Sequence, residues 1–424
     1  MSAASGKAAP RQLPPTVLPE GSLWPYIVQL LLDFDPIQAR YCGAQLLRVI
    51  DVVALGAEQT GNYIPALQLI YHVILRLDAT SSTLTSTHRI FIRLCLLSQA
   101  YADAVEILDR PIYHFPTAQS TARASKYLCS NSGQPWAYLT PVTGLTQPIS
   151  SRTYLEYYLM GAMCYMALRR YKEAMFFLEV VLTAPTAQNV ASSIMVDAYK
   201  KWLLVGLVVN GVAPPVPKSV SQTAMKNIRA VAKPYECVAD AFKGSSIGQL
   251  RAEIEVGNAI WQEEGNYGLM VEVYEAFRKF AVLRLGKTFA ALSLDEIAKR
   301  TSPDPNSLEE TRSYLEGLIA NGELSALITD SESSRSPILR FLPASASGKS
   351  EIQVETALAS QTQELQMLLK HIQDTEHRME TSREYIDWLK KLKKMRDEEE
   401  KNGGSGNGRT ATVDDVDEDM MEEY

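Results

Sequence analysis

Along the first two thirds of the chain, apolar positions recur every three to four residues, the spacing that gathers them on one face of a helix. From about residue 23 to 264 this period is nearly unbroken, and alternating, strand-like runs are rare. The helices read as short antiparallel pairs. LLSQAYADAVEIL (96–108) and ALRRYKEAMFFL (167–178) share one plan: a tight link, then Tyr-x-x-Ala, then an apolar helix. Tyr101 and Tyr171 begin the pattern, and Ala104 and Ala174 are small enough to let neighbouring helices approach. The two copies stand about 70 residues apart, roughly twice a 34-residue helix-pair repeat. Tyr63-x-x-Ala66 is a weaker third copy. A single pair cannot bury its own apolar face, so such units stack into a solenoid. The pattern therefore predicts a mostly α chain with a TPR-like helical-repeat solenoid over residues 21–265. Its best-formed pair, 152–182, carries Tyr154, Tyr157, Tyr158, Gly161, Ala162 and Tyr165 along its first helix, a stripe expected in the core.

The pattern changes after Gly265-Asn266. A helix with Leu269, Val273, Phe277, Phe280 and Ala281 on one face leads to KTFAAL (287–292), which reads as a short strand. Ser293 and Glu296 have capping-box spacing ahead of a helix carrying Leu294, Ile297 and Ala298. Ser302-Pro303-Asp304-Pro305 ends it, since proline cannot continue a helix. Ser307 and Glu310 repeat the capping box before Leu308, Thr311, Leu315, Leu318 and Ile319, with Asn321-Gly322 as the C-cap. Residues 323–329 then alternate, with Leu324, Ala326 and Ile328 on one face. A polar loop at 332–336 precedes a second alternating run at 338–342. Helix, strand, helix, helix and two strands is the order of a winged helix, a helix-turn-helix variant, placed here at residues 266–345.

After a loop at 343–350, residues 354–400 contain neither proline nor glycine. Leu358, Leu365, Ile372, Met379 and Ile386 recur at heptad spacing, and Leu368 and Leu389 add a partial second seam. This predicts one long amphipathic helix over 350–400. A narrow seam is marginal alone, and burying each of its residues contributes roughly 1.5–3 kcal/mol, so the helix either folds back on its own domain or, as its length favours, joins helices from other chains. These seam positions, with the sheet residues Leu324, Ala326 and Ile328, are the candidate protein interface. Residues 1–20 read as a disordered, Ala-, Ser- and Pro-rich leader without the apolar core of a signal peptide, and 401–424 as a flexible acidic tail.

Composition narrows the chemistry. The 424 residues are 46% hydrophobic, enough for two or three domains with large cores, and 42 Lys+Arg against 49 Asp+Glu give a net charge of -7. That balance disfavours a dedicated nucleic-acid binder. The helix at 306–321 sharpens the point, because the position that would enter a DNA groove carries Glu309, Glu310 and Glu316 against Arg312 alone. Phosphate binding needs Lys and Arg to displace counterions. The longest apolar run, 202–209, is far short of a bilayer span, so no membrane role is expected. Cys42, Cys95, Cys129, Cys164 and Cys237 are widely spaced and form no CxxC, which reads as reduced thiols and neither a disulfide framework nor a zinc site. His72, His88, His114, His371 and His377 form no HxH or HExxH pattern. Gly286-Lys287-Thr288 imitates the end of a phosphate loop, but Ala281 stands where that loop needs glycine and the strand–helix order is reversed. No catalytic residue, metal or cofactor is predicted.

A solenoid ending in a winged helix and a terminal helix resembles the PCI family, with a PCI domain spanning roughly 195–345. The stretches that carry the likeness are YYLMGAMCYMALRRYKEAMFFLEVVLTAPT (157–186), IMVDAYKKWLLVGLVVNG (194–211), VPKSVSQ (216–222), LGKTFAALSLDEIAKR (285–300) and YLEGLIANGELSALI (314–328). They are most similar to PCI subunits of the COP9 signalosome, over about 96–342. The Ser-rich wing loop SESSRS departs from the short glycine-containing turn of the family. The resemblance implies a non-catalytic scaffold in a complex of nucleus and cytoplasm that removes a ubiquitin-like modifier from cullins and so regulates cullin-RING ligases. It implies a zinc peptidase centre in another subunit, and signalosome subunits one and eight as neighbours. PCI subunits of the proteasome lid or of translation initiation factor three are the alternatives, and a nucleic-acid-binding PCI protein is a more distant one.

Overall fold

A computed structural model of the chain describes residues 12–116, 128–129, 135–185, 191–244, 246–301, 307–329, 337–342, 351–380 and 383–402. The predicted fold class holds: the described residues are helical almost throughout, with one three-stranded sheet. They fall into two units, residues 1–341 and 342–424.

The first unit opens with a 3-10 turn, Pro15–Val17, and the Leu13 N–H donates to Gln59 Oε1. The leader expected to be structureless to residue 20 is thus described from Gln12, where Pro14 and Pro15 favour a fixed turn. There follow α1 (Trp24–Asp33), α2 (Pro36–Ala39), α3 (Gly43–Thr60), α4 (Ile64–Leu77), α5 (Ser86–Ser98), α6 (Tyr101–Leu108), α7 (Pro135–Tyr138), α8 (Ser151–Ala167), α9 (Tyr171–Thr183) and α10 (Ser193–Asn210). Successive helices pack on one another, α4 on α5, α8 on α9 and α9 on α10, as stacking requires. One continuous core runs from Leu31 to Ala232.

The repeat is visible at the level of single hydrogen bonds. Between α5 and α6, Gln99 takes a left-handed conformation (φ 59°), the Gln99 N–H donates to Leu96 O and the Ala100 N–H to Cys95 O. Between α8 and α9, Arg169 (φ 62°) donates to Met166 O and Arg170 to Tyr165 O. Both are Schellman turns, which satisfy the carbonyls a helix end leaves free. The tyrosine follows two residues later and starts the next helix, and Ala104 and Ala174 are fully buried. Sequence reading missed a further copy. Gly265 (φ 68°) donates to Gln262 O, Asn266 to Trp261 O, and Tyr267 starts a helix. Glycine adopts this conformation freely whereas glutamine and arginine are strained there, so the same turn is written with unlike residues. Gly161 serves packing instead. A Cβ there would lie 2.8 Å from Phe177 and 2.9 Å from Leu108, so α8 can meet α6 and α9 only without one.

Helices α11 (Gln222–Val231), α12 (Lys233–Lys243), α13 (Ile247–Val256) and α14 (Asn258–Glu263) lead into α15 (Tyr267–Thr288). Met270, Val273 and Phe277 of α15 join a second core with Tyr235, Phe242 and Trp261. Val282, two turns on from Val273, joins a third with Leu294, Leu315 and Leu339. One continuous helix therefore carries the end of the solenoid into the winged helix. The junction is fastened by a partly buried polar chain. Lys200 Nζ donates to Glu264 Oε1 (2.6 Å), Tyr235 Oη to Glu264 Oε2 (2.6 Å), Asn266 Nδ2 to Tyr235 Oη (2.7 Å) and Lys201 Nζ to Asn266 Oδ1 (2.6 Å). Burial alone would raise the Glu264 pKa, but the Lys200 and Tyr235 hydrogen bonds and the two lysine charges outweigh it and hold the carboxylate below its usual value.

The winged helix consists of the end of α15, β1 (Ala291–Ser293), α16 (Leu294–Thr301), α17 (Leu308–Ala320), β2 (Ala326–Thr329) and β3 (Ile338–Phe341). The strands order as β1-β3-β2, antiparallel, with Leu292 opposite Leu339 and Ile328 opposite the same residue from the other side. Three local expectations change. The strand placed at 287–292 begins only at Ala291, because the apolar stripe of α15 continues through Leu283 and Leu285 and the Phe289 N–H still closes on Leu285 O. Gly286-Lys287-Thr288 is thus a helix terminus. Glu296 is held by Arg300 one turn on (2.8 Å), and the Ser307 side chain makes no capping bond. The Asn321-Gly322 cap forms as a Schellman turn, with the Gly322 N–H on Ile319 O and the Glu323 N–H on Leu318 O. The turn at 302–305 lies outside the described residues apart from its helical flank, as does the wing loop.

The second unit is described as helical in two stretches, α18 (Glu351–Glu380) and α19 (Arg383–Asn402), within the span where a single helix is expected. Thr381 and Ser382, between them, lie outside the described residues. The tail beyond 402 also lies outside.

Candidate functional site: a sheet edge and a helix seam

Two features of the described residues are candidates for contact with a partner. The first is the edge of the sheet. β2 pairs with β3 on one side only, so it ends the sheet. Its pleat sends Ala326 inward (2% exposed) and Leu327 outward (55%), and Leu324 just before it is also buried. Of the residues predicted for this interface, Leu324 and Ala326 therefore fill the third core and Ile328 packs against it. What β2 offers a neighbour is its backbone edge, suited to an added strand, together with the side chain of Leu327. That residue was missed, although strict alternation places it opposite Ala326 and Ile328.

The second feature is the seam. Leu358, Leu365, Leu368, Ile372 and Met379 lie on α18, and Ile386 and Leu389 on α19; their exposure runs from 39% at Ile386 to 63% at Leu358. Heptad positions repeat on one side of a helix, so α18 presents a continuous apolar stripe. α19 adds Trp388, half exposed and stacked on Tyr385 at 5.7 Å between ring centroids, which the heptad reading passed over because it is out of register. Exposed apolar surface of this extent makes the seam a candidate interaction site.

Two cysteines and a histidine elsewhere are committed to the core. Cys95 and Cys164 are fully buried, and desolvation pushes the Cys164 thiol up to about 12. His88 is buried and held by neighbours: the Thr85 N–H donates to Nδ1 (3.2 Å), which fixes the proton on Nε2, facing Ser81 Oγ at 2.8 Å. Among the described residues no group of three His, Cys, Asp or Glu side chains is placed to hold a metal ion, and no helix is long and apolar enough to cross a membrane. On α17 the single cation, Arg312, is already committed to Glu316 at 2.9 Å, which leaves Glu309 and Glu310 facing any phosphate.

Comparison with known proteins resolves which assembly family this architecture represents. A family model described as COP9 signalosome complex subunit 3, N-terminal helical repeats, matches residues 21–224. A protein of Emericella nidulans named COP9 signalosome complex subunit 3 is 32% identical over 96% of this chain and 82% of its own length. The chain belongs to the COP9 signalosome subunit 3 family. Proteins of the same name from Neurospora crassa (31% identity, 86% of this chain and 74% of the relative) and Dictyostelium discoideum (26%, 61% and 54%) extend the family. The matched repeats of this subunit 3 family member coincide with the solenoid from α1 to the first turn of α11. The match to the Emericella nidulans protein covers nearly the whole chain, and so bears on the winged helix and the terminal helices as well.

Proposed function

We propose that the chain is a non-catalytic scaffold subunit of the COP9 signalosome, which supports removal of a ubiquitin-like modifier from cullins and thereby regulates cullin-RING ubiquitin ligases. The observation that carries this reading is the exposed seam of α18 in a member of the subunit 3 family: a helix with this stripe gains its stability from helices supplied by other chains. In this reading α18 and α19 enter a bundle of terminal helices from several subunits. The β2 edge accepts a strand from a neighbouring winged helix. Signalosome subunits one and eight are the expected neighbours, and the complex works in nucleus and cytoplasm. The peptidase centre belongs to another subunit, and this chain contributes position.

Reconstitution tests the reading. Signalosome subunits co-expressed with this chain should form a complex that removes the modifier from a modified cullin, and omission of this chain should lose subunits from the complex. The purified chain with added zinc should show no isopeptidase activity. A complex of unchanged composition and activity without the chain would overturn the proposal.

A further inference from the structure

A second surface, on the first unit, answers to a different ligand. The end of α15, the start of α13 and the last turn of α16 border an open groove of about 630 Å³. Arg284, Lys299 and Arg300 line it, and among the described residues no Asp or Glu does. Arg300 is paired with Glu296 (2.8 Å) and lies over the Phe289 ring at 5.7 Å. Arg284 lies over Phe277 at 5.4 Å, and neither it nor Lys299 has a carboxylate partner among the described residues. Lys287, exposed on the same turn of α15 as Arg284, adds a further cation beside the groove. Ile247, Leu285 and Phe289 give the lining an apolar share. In a chain of net charge -7, this is a local reversal of sign that the chain's described carboxylates leave largely unmatched.

We infer that this groove binds an acidic peptide segment of a partner protein, a run of Asp and Glu around one large apolar side chain. Charge complementarity selects the acidic residues: guanidinium and ammonium groups with no ion-pair partner attract carboxylates and steer their approach. The apolar lining selects the central side chain, which would rest against Phe289 and Leu285. A volume of this size takes a segment of a few residues. A nucleic acid is the poorer fit, because a longer polyanion extends beyond this local patch onto a chain of net charge -7. The inference rests on local charge and shape and holds whether or not the chain acts as a signalosome scaffold.

The test is fluorescence anisotropy with the full chain and a fluorescein-labelled 12-residue peptide of alternating Asp and Glu around a central Phe. Saturable binding that weakens as salt is raised is expected. The Arg284→Glu, Lys299→Glu double variant should weaken it by at least about tenfold, the order expected for reversing two interfacial charges. Phe289→Ala should weaken binding without reducing its salt dependence. Both reversed side chains are exposed, and the milder Arg284→Gln, Lys299→Gln pair, expected to fall in between, decides the matter if the reversal variant misfolds. Three results would each overturn the inference. The first is equal binding of the Asn/Gln peptide of the same length. The second is tighter binding of a single-stranded oligonucleotide of the same charge. The third is a self-association of the chain, seen by sedimentation, that the charge-reversal variant abolishes, which would make the occupant a second copy.

Discussion

The guanidinium carbon of Arg278 lies 4.3 Å from the centroid of the Tyr314 ring, so a cation on the helix that leaves the solenoid is seated on an aromatic side chain of the winged helix's second helix. Arg278 is 8% exposed and its Nε has no hydrogen-bond partner, so the ring face, with the carboxylate of Glu275 at 3.7 Å, is what compensates its burial. α15 already shares two cores, and this contact fixes how α17 sits against it.

Arg278→Ala should therefore loosen the winged helix selectively. A loss of about 2 kcal/mol is expected from the cation–π contact and the packing of the arginine stem. Hydrogen exchange would show it as faster exchange of the α17 amides, while α8 and α9 keep wild-type protection.

His88 makes stability depend on pH. Burial lowers its pKa from 6.5 to about 4, against the opposing pull of the Asp78 charge. In the unfolded chain the imidazole takes up its proton near pH 6.5, in the folded chain only near 4, so the unfolded state binds more protons between these values. Stability is then complete above pH 6.5 and falls as pH drops toward 4, by about 3 kcal/mol in all. Urea unfolding of the wild type at pH 7.5 and pH 4.5, followed by signals from α5, should show this loss, and His88→Gln should lack this component.

The helix links predict a stabilising change. Gln99 is exposed and left-handed (φ 59°) at a position where the related link uses Gly265. Gln99→Gly relieves the backbone strain, and the gain, about 0.5–1 kcal/mol after the entropy cost of glycine in the unfolded chain, should raise the melting temperature. Gly161→Leu should do the opposite: its side chain would be driven into Phe177 and Leu108, and overpacking of this kind costs at least about 1–3 kcal/mol.

Much of this architecture is legible in the sequence, for a physical reason. Tyr101, Ala104, Tyr171 and Ala174 could be read because helical periodicity and side-chain size act locally. The copy at Tyr267 escaped because Met270 stands where the others have alanine, and the shared element is a backbone turn that Gly265, Gln99 and Arg169 encode with unlike side chains. The strand at 287–292 was placed too early, because a β-prone run such as Thr288-Phe289 yields to a helix whose apolar stripe is still being buried. At the proposed interface, periodicity groups the seam residues of α18 on one side of that helix, but it could not assign Leu324 and Ala326 to the core and Leu327 to the outside, since that depends on which face of the sheet α15 and α17 cover. The basic groove joins residues 246–301 from three helices and leaves no trace in any one stretch.

The seam yields the most direct test. Leu365 and Ile372 are exposed on α18, so Leu365→Asp with Ile372→Asp should leave the solenoid and winged helix folded, with an unchanged melting transition of the isolated chain. Native mass spectrometry of signalosome assembled around the tagged chain measures its stoichiometry. With the wild type, one copy of the chain per complex is predicted, and with the double variant the tagged chain should be recovered free of the other subunits. Full occupancy by the double variant would contradict the account, as would a tagged wild-type chain that brings down subunits of the proteasome lid or of translation initiation factor three in place of signalosome subunits.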